Sequence, residues 1–144
     1  MIQIQIVSEP LPVIESVDSH THDGSEIIFH GRIRDNENNK KIIGLDYEYY
    51  PGMAEKKLNE LAEHTVTKFG ISSLICTHRV GLVPVGEISV RIIIWSGHRA
   101  EGLKAMDWFI MQLKKDVPIW KWGVTANGKK FPTRIKPDTN KDVE

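Results

Sequence analysis

Residues 98–121 read HRAEGLKAMDWFIMQLKKDVPIWK and constrain the fold more than any other stretch. Leu103, Met106, Ile110, Leu113 and Val117 recur at spacings of three and four, which predicts one apolar stripe on a helix over 98–117. Pro118 must end that helix, because it lacks an N–H donor and disfavours the helical conformation at Val117. A strand over 119–125 follows at once. At roughly 100° per residue, Lys114 falls about 40° from Ile110, on the stripe's edge, while Lys104 and Lys115 point away. An ammonium held against an apolar face loses solvation, which lowers its pKa and makes a free amine accessible. Lys121 sits between Trp120 and Trp122. At the other end Ser96-Gly97-His98-Arg99 opens the helix, where unpaired N–H groups and the dipole attract anions. The plainer expectation is a helix whose C-terminal lysines complement the dipole and snorkel their stems.

A chain of 144 residues predicts a single domain over 1–136, with a polar, frayed tail over 137–144. Its 19 basic residues balance 19 acidic ones, which argues against a general nucleic-acid or membrane-surface binder. The lone Cys76 excludes an internal disulfide and a cysteine-rich zinc site. Its apolar neighbours Leu74 and Ile75 favour a buried, inert thiol. Neither a signal peptide nor a transmembrane segment is read, so the cytoplasm is the expected compartment.

Ile2, Ile4 and Ile6 share one face of a first strand, broken by Pro10 and Pro12. A short helix is expected over 13–18 and a polar loop over 20–24. His20 and His22 could hold a metal there, but no third ligand is evident, and a solvated loop is the favoured expectation. Strands over 25–34 and 42–50 are read as a pair, joined by an asparagine-rich loop over 35–41. A helix over 54–69 ends at Gly70, a natural left-handed cap. A strand over 71–80, a turn over 81–86 and a rich β run over 88–95 follow; the apolar end of that run suggests a central strand. A last strand spans 130–135. Hairpin-length turns and this order indicate α+β with a mostly antiparallel sheet and two main helices.

Four cationic groups could converge with Lys114 and Lys121 on an anionic substrate: Arg34, His98, Arg99 and Arg134. The alternative leaves Arg34 and Arg134 as solvated surface residues. Trp108 and Met111 lie off the stripe; they mark either a protein interface or a face covered by another segment of the chain.

Several stretches together carry a resemblance. They are Phe29-His30-Gly31-Arg32-Ile33-Arg34, Leu45-Asp46-Tyr47-Glu48-Tyr49-Tyr50-Pro51-Gly52-Met53-Ala54-Glu55, His78-Arg79-Val80-Gly81 with Gly86-Glu87, Ser96-Gly97-His98-Arg99, and Leu113-Lys114 leading to Val117-Pro118-Ile119-Trp120-Lys121. Over nearly its whole length the chain resembles the large, catalytic subunits of molybdopterin synthase. That resemblance implies an α/β-hammerhead fold and a homodimer within a heterotetramer, with a small ubiquitin-like sulfur carrier at each end. The carrier's C-terminal Gly-Gly thiocarboxylate would enter the large subunit's pocket. Two sulfurs would pass to cyclic pyranopterin monophosphate, giving the dithiolene of molybdopterin. No cofactor, metal, nucleic acid or membrane is implied.

The family's two essential lysines fall on Lys114 and Lys121. Its substrate-binding groups fall on Phe29, Arg34, His98 and Arg99, within one subunit or across the dimer interface, and on Arg134 across a one-residue gap. The family's usual histidine before Tyr-Pro-Gly-Met is Tyr49 here, and the loop after Arg34 lacks the common glycine. Two other classes compete. Arg32, Arg34, Lys40 and Lys41 beside Tyr47, Tyr49 and Tyr50 could hold single-stranded nucleic acid by charge and stacking, or bind anions without catalysis. An inactive subunit that only docks the partner is the third.

Overall fold

The computed structural model describes residues 1–14 and 20–134. Among these residues the order is β1 (Ile2–Val7), β2 (Ser25–Arg32), β3 (Asn36–Glu37), β4 (Lys40–Lys41), β5 (Gly44–Tyr49), α1 (Met53–Phe69), β6 (Ser73–Arg79), β7 (Gly81–Pro84), β8 (Ile88–Ser96), α2 (Arg99–Asp116), β9 (Ile119–Val124) and β10 (Lys130–Arg134). The expected tail over 137–144 lies outside the described residues, as does most of the expected helix over 13–18.

One four-stranded sheet has the order β1-β6-β8-β2, with β1 parallel to β6 and the other pairs antiparallel. Its near-continuous apolar strand β8 lies inside the sheet, as the sequence implies. A second, antiparallel sheet has the order β10-β9-β5-β7. The expected pairing of residues 25–34 with 42–50 is therefore wrong. β2 joins β8 in one sheet, and β5 lies between β9 and β7 in the other. Alternation tells which face of a strand is buried but not which strand lies beside it. Residues 81–84, expected in a turn, form β7.

Both helices pack on one face of the first sheet, around Leu58, Leu74, Cys76, Ile92, Ile94, Met106 and Phe109. α1 begins where the backbone N–H of Gly52 donates to Glu55 Oε1 at 2.6 Å. It ends at Gly70, whose φ of 70° is the left-handed conformation that glycine adopts without strain. α2 ends at Asp116, and Val117 before Pro118 is extended, as the proline requires.

The buried stripe of α2 is Gly102, Ala105, Met106, Phe109 and Leu113, with Val117 beyond it. Leu103, expected in that stripe, is 54% exposed. Gly102 explains the rotation: a Cβ there would lie 2.6 Å from Ser96 Oγ and 3.0 Å from Ile27 Cδ1. The helix meets the sheet through its small residues, and Leu103 is turned outward. Cys76 is fully buried, and burial pushes its thiol up to about 12.

Candidate active site

The C-terminal half of α2 and strands of both sheets enclose a cavity of about 680 Å³. β2 contributes Phe29 and Arg32, and Arg34 follows it. α2 contributes Ile110, Leu113 and Lys114, and β9 contributes Trp120 and Lys121. β5 adds Tyr47, β6 adds His78, and the β3–β4 hairpin adds Glu37. Four residues singled out in the sequence, Phe29, Arg34, Lys114 and Lys121, thus line one cavity. Pro118 is the local cause of the lysine pair. It stops the helix after Lys114 and sends the chain into β9, which carries Lys121 along the same cavity.

Lys114 is exposed rather than held against the apolar face. The expected edge position assumed a stripe through Leu103, and the true stripe is rotated away from it. Lys121 is better enclosed, with its side chain 32% exposed and its Nζ 3.7 Å from Glu37 Oε2. The other oxygen of Glu37, Oε1, lies 3.8 Å from Arg34 Nη2. Thr133 Oγ1 donates to the Lys121 carbonyl at 2.9 Å and ties β10 to this strand.

His98 and Arg99 are not part of this cavity. They open α2 at its far end, and both are exposed. The anion site expected there is met from within: the His98 N–H donates to Glu101 Oε2 at 3.0 Å. The backbone N–H of Glu101 itself, and then that contact, hold the Glu101 carboxyl below the usual range. Arg134 pairs through its backbone with Lys121, one strand from the lysine; its side chain lies outside the description.

Two cavity residues escaped the sequence reading. His78 is 4% exposed and lies edge-on to Tyr47, with ring centroids 5.2 Å apart. Its Nδ1–H donates to the Arg79 carbonyl at 2.8 Å, because a carbonyl can only accept. Nε2 is thereby left as the acceptor nitrogen. Burial pushes the imidazole down to about 4, against the Arg79 hydrogen bond, and the charge of Lys121 adds to the fall. Tyr47 is held above its ordinary value by burial; the hydrogen bond with Ser89 opposes this, and the charge of Glu37 adds to it. A signal for His78 was present: Leu74, Cys76 and His78 share one face of β6, so an ionisable ring continues an apolar row. For Glu37 the signal was weaker, an acid in a loop of polar residues.

The tyrosines offered as a nucleic-acid stacking platform are dispersed. Tyr47 faces the cavity, Tyr49 packs against the main core, and Tyr50 is 52% exposed and edge-on to Trp120. Trp108 is covered by α1, with its ring 5.2 Å from His64 and 5.6 Å from Phe69, whereas Met111 is 52% exposed. His20 stacks on Trp95 at 4.2 Å and pairs with Asp23 at 2.8 Å, so its loop is held against the sheet. No helix among the described residues is long and apolar enough to cross a membrane.

The chain is similar to the molybdopterin synthase catalytic subunit of Emericella nidulans, 34% identical over 112 residues. The match covers 78% of this chain and 57% of the fungal protein, so the chain spans little more than half of that relative's length. The crystal structure of molybdopterin synthase from Staphylococcus aureus is similar with a TM-score of 0.76 and 30% identity, over 88% of this chain and 93% of that one. A complex of subunits 1 and 2 of molybdopterin-converting factor from Helicobacter pylori shares the fold, with a TM-score of 0.67 and 20% identity, over 92% and 90% of the two chains. The model of the MoaE protein family matches residues 6–116, a span that holds Phe29, Arg34, His98, Arg99 and Lys114 and stops short of Lys121. On that match the chain belongs to the MoaE protein family.

Proposed function

We propose that this chain is the catalytic subunit of a molybdopterin synthase. It would move sulfur from the thiocarboxylated C-terminus of a small ubiquitin-like carrier to cyclic pyranopterin monophosphate, forming the dithiolene. The observation that carries this reading is the meeting of Lys114, Lys121, Arg34 and Phe29 at one cavity. An extended Gly-Gly tail is narrow enough to enter such a cavity. A free amine beside the acyl carbon can then attack it, and an ammonium there can supply a proton during cleavage of the acyl–sulfur bond. Arg34 is suited to a phosphate, since its guanidinium presents several donors in a plane. Phe29 offers a ring surface to a pterin. The names borne by the similar proteins point the same way.

The reading extends to the assembly. His98 and Arg99 are too far along α2 to reach a ligand at Lys114 of the same chain, so they would serve the second copy of a homodimer. One carrier chain would dock at each cavity, giving a heterotetramer. Residues 1–136 would act as one catalytic domain, with Arg134 on the strand beside Lys121. The reaction is assigned to the cytoplasm. The test is direct. The chain is mixed with a thiocarboxylated carrier and the cyclic pyranopterin, and dithiolene is assayed. Product that depends on Lys114 and Lys121 supports the reading. A complex that forms with no product would leave a docking subunit instead.

A further inference from the structure

Glu37 is the only acid among the described residues lining the cavity, beside the cations Arg32, Arg34, Lys114 and Lys121. Its carboxylate is divided between two of them, Oε1 toward Arg34 at 3.8 Å and Oε2 toward Lys121 at 3.7 Å. Of residues 36–41 it alone is not exposed, and its side chain is 14% accessible. The hairpin that carries it is built to hold this position. Asn38 and Asn39 take φ of 54° and 64°, as a tight two-residue β-hairpin turn requires. The Ile42 N–H donates to the Asp35 carbonyl at 3.1 Å, and Ile33 and Ile42, both buried, anchor the two stems. Lys40, opposite Glu37 in the hairpin, lies over the Phe131 ring.

We propose that Glu37 occupies, from within the chain, the position between Arg34 and Lys121 that a ligand's terminal oxyanion takes, so that an incoming anion must displace it to reach both cations. The inference rests on the proposed sulfur-transfer site and adds to it a residue that competes with the ligand's anion. Both contacts are longer than the roughly 2.7–2.9 Å of a charge-assisted hydrogen bond, so they are attraction without directional bonding. An anion that bonds both cations more closely takes the place of the carboxylate. A neutral ligand end gains nothing by doing so. The carboxylate would then swing toward solvent on its two-residue strand. Its competition weakens anion binding but keeps the arginine and the lysine oriented toward one point.

The experiment titrates the full chain, followed by intrinsic tryptophan fluorescence, in which Trp120 is the one of the four tryptophans at the cavity wall. The proteins are wild type, Glu37→Gln and Glu37→Asp. The probes are a peptide ending in Gly-Gly with a free carboxylate, the same peptide as its amide, and a 3′,5′-cyclic nucleotide as a cyclic phosphodiester. Removing a partly exposed competing charge should tighten anion binding by about fivefold in Glu37→Gln. The amide should bind alike to all three proteins, and Glu37→Asp should stay near wild type. Tightening of the carboxylate peptide identifies the carrier tail as the displacing anion, and tightening of the cyclic phosphodiester identifies the pterin substrate. Unchanged or weaker anion binding in Glu37→Gln overturns the proposal, as does equal tightening of the amide or no anion binding to any of the proteins. Dithiolene formation by the wild type is measured separately. A wild type that turns over while Glu37→Gln fails to tighten removes only the role of Glu37.

Discussion

Lys114 and Arg99 stand fifteen residues apart on α2, at opposite ends of one rigid element. At about 1.5 Å per residue that is roughly 22 Å along the axis. Only Lys114 faces the cavity. A single bound substrate cannot touch both residues of one chain, so if both serve the reaction, they come from different copies.

This separation predicts complementation. Lys114→Ala and Arg99→Ala chains should each be inactive alone. After subunit exchange at equal amounts, half of the dimers are mixed, and each mixed dimer rebuilds one intact site. Turnover should recover to about a quarter of wild type if the sites are shared across a two-fold interface. Absence of recovery, with mixed dimers demonstrated by tag pull-down, would place Arg99 outside the reaction.

A second prediction separates positioned chemistry from general positive charge. Lys114 and Lys115 are both exposed, so alanine at either should leave the fold intact. Only Lys114 lines the cavity. Lys114→Ala should bind the carrier and lose nearly all turnover. Lys114→Arg should fail almost as badly, because a guanidinium stays protonated and cannot supply a free amine. Lys115→Ala should remain largely active. Near-normal turnover by Lys114→Arg would reduce Lys114 to an electrostatic anchor and leave the amine chemistry to Lys121.

What could be read in advance follows from how local each cause is. Pro118 acts on its own neighbours, so the end of α2, the start of β9 and the lysine pair astride them were legible. Gly70 and the apolar run of β8 were legible for the same reason. The stripe on α2 was misplaced because side-chain size favours Leu103, whereas the packing is set by Gly102 fitting against Ser96 at the end of β8 and against Ile27, which is distant in sequence. The partners of β2 and β5 depend on register between distant strands, which alternation does not encode. Glu37 and His78 are cavity residues through long-range placement alone. One lies in a hairpin whose Asn38-Asn39 turn was there to be read, the other on the apolar face of β6.

The corrected stripe can be tested by stability. Met106 is 6% exposed within the main core, so Met106→Ala should cost about 2–5 kcal/mol, the usual range for a large side chain removed from a packed interior. Leu103→Ala should change stability by no more than about 0.5 kcal/mol, as at other surface positions. Chemical denaturation of the two variants beside wild type gives both values. Comparable losses would restore Leu103 to the buried face.

The last prediction concerns pH and His78. Its imidazole titrates near 6.5 in the unfolded chain and is pushed down to about 4 in the folded one, chiefly by burial. Between these values the unfolded state binds more protons than the folded state, so stability rises with pH through this window. The contribution is fully present above about 6.5 and is lost as pH falls toward 4. A shift of that size is worth about 3 kcal/mol at most. His30 acts with the same sign, since burial and then the charges of Arg91 and Arg32 lower it. Asp23 acts lower, losing its contribution as pH falls below its ordinary carboxyl range, because the hydrogen bond from Ser72 is the largest influence holding it down. Unfolding measured at pH 6.5, 5.5 and 4.5 should therefore show wild type losing more stability than His78→Gln, the difference between them growing as pH falls. Parallel curves would mean that His78 takes up its proton as readily in the folded chain as in the unfolded one. The same shift bears on the pH profile of the proposed activity. A ring that stays neutral down to about 4 cannot supply a pKa near neutrality. A turnover pKa of 6 to 7 that vanished in His78→Gln would show the imidazole to be open to protons in the working enzyme.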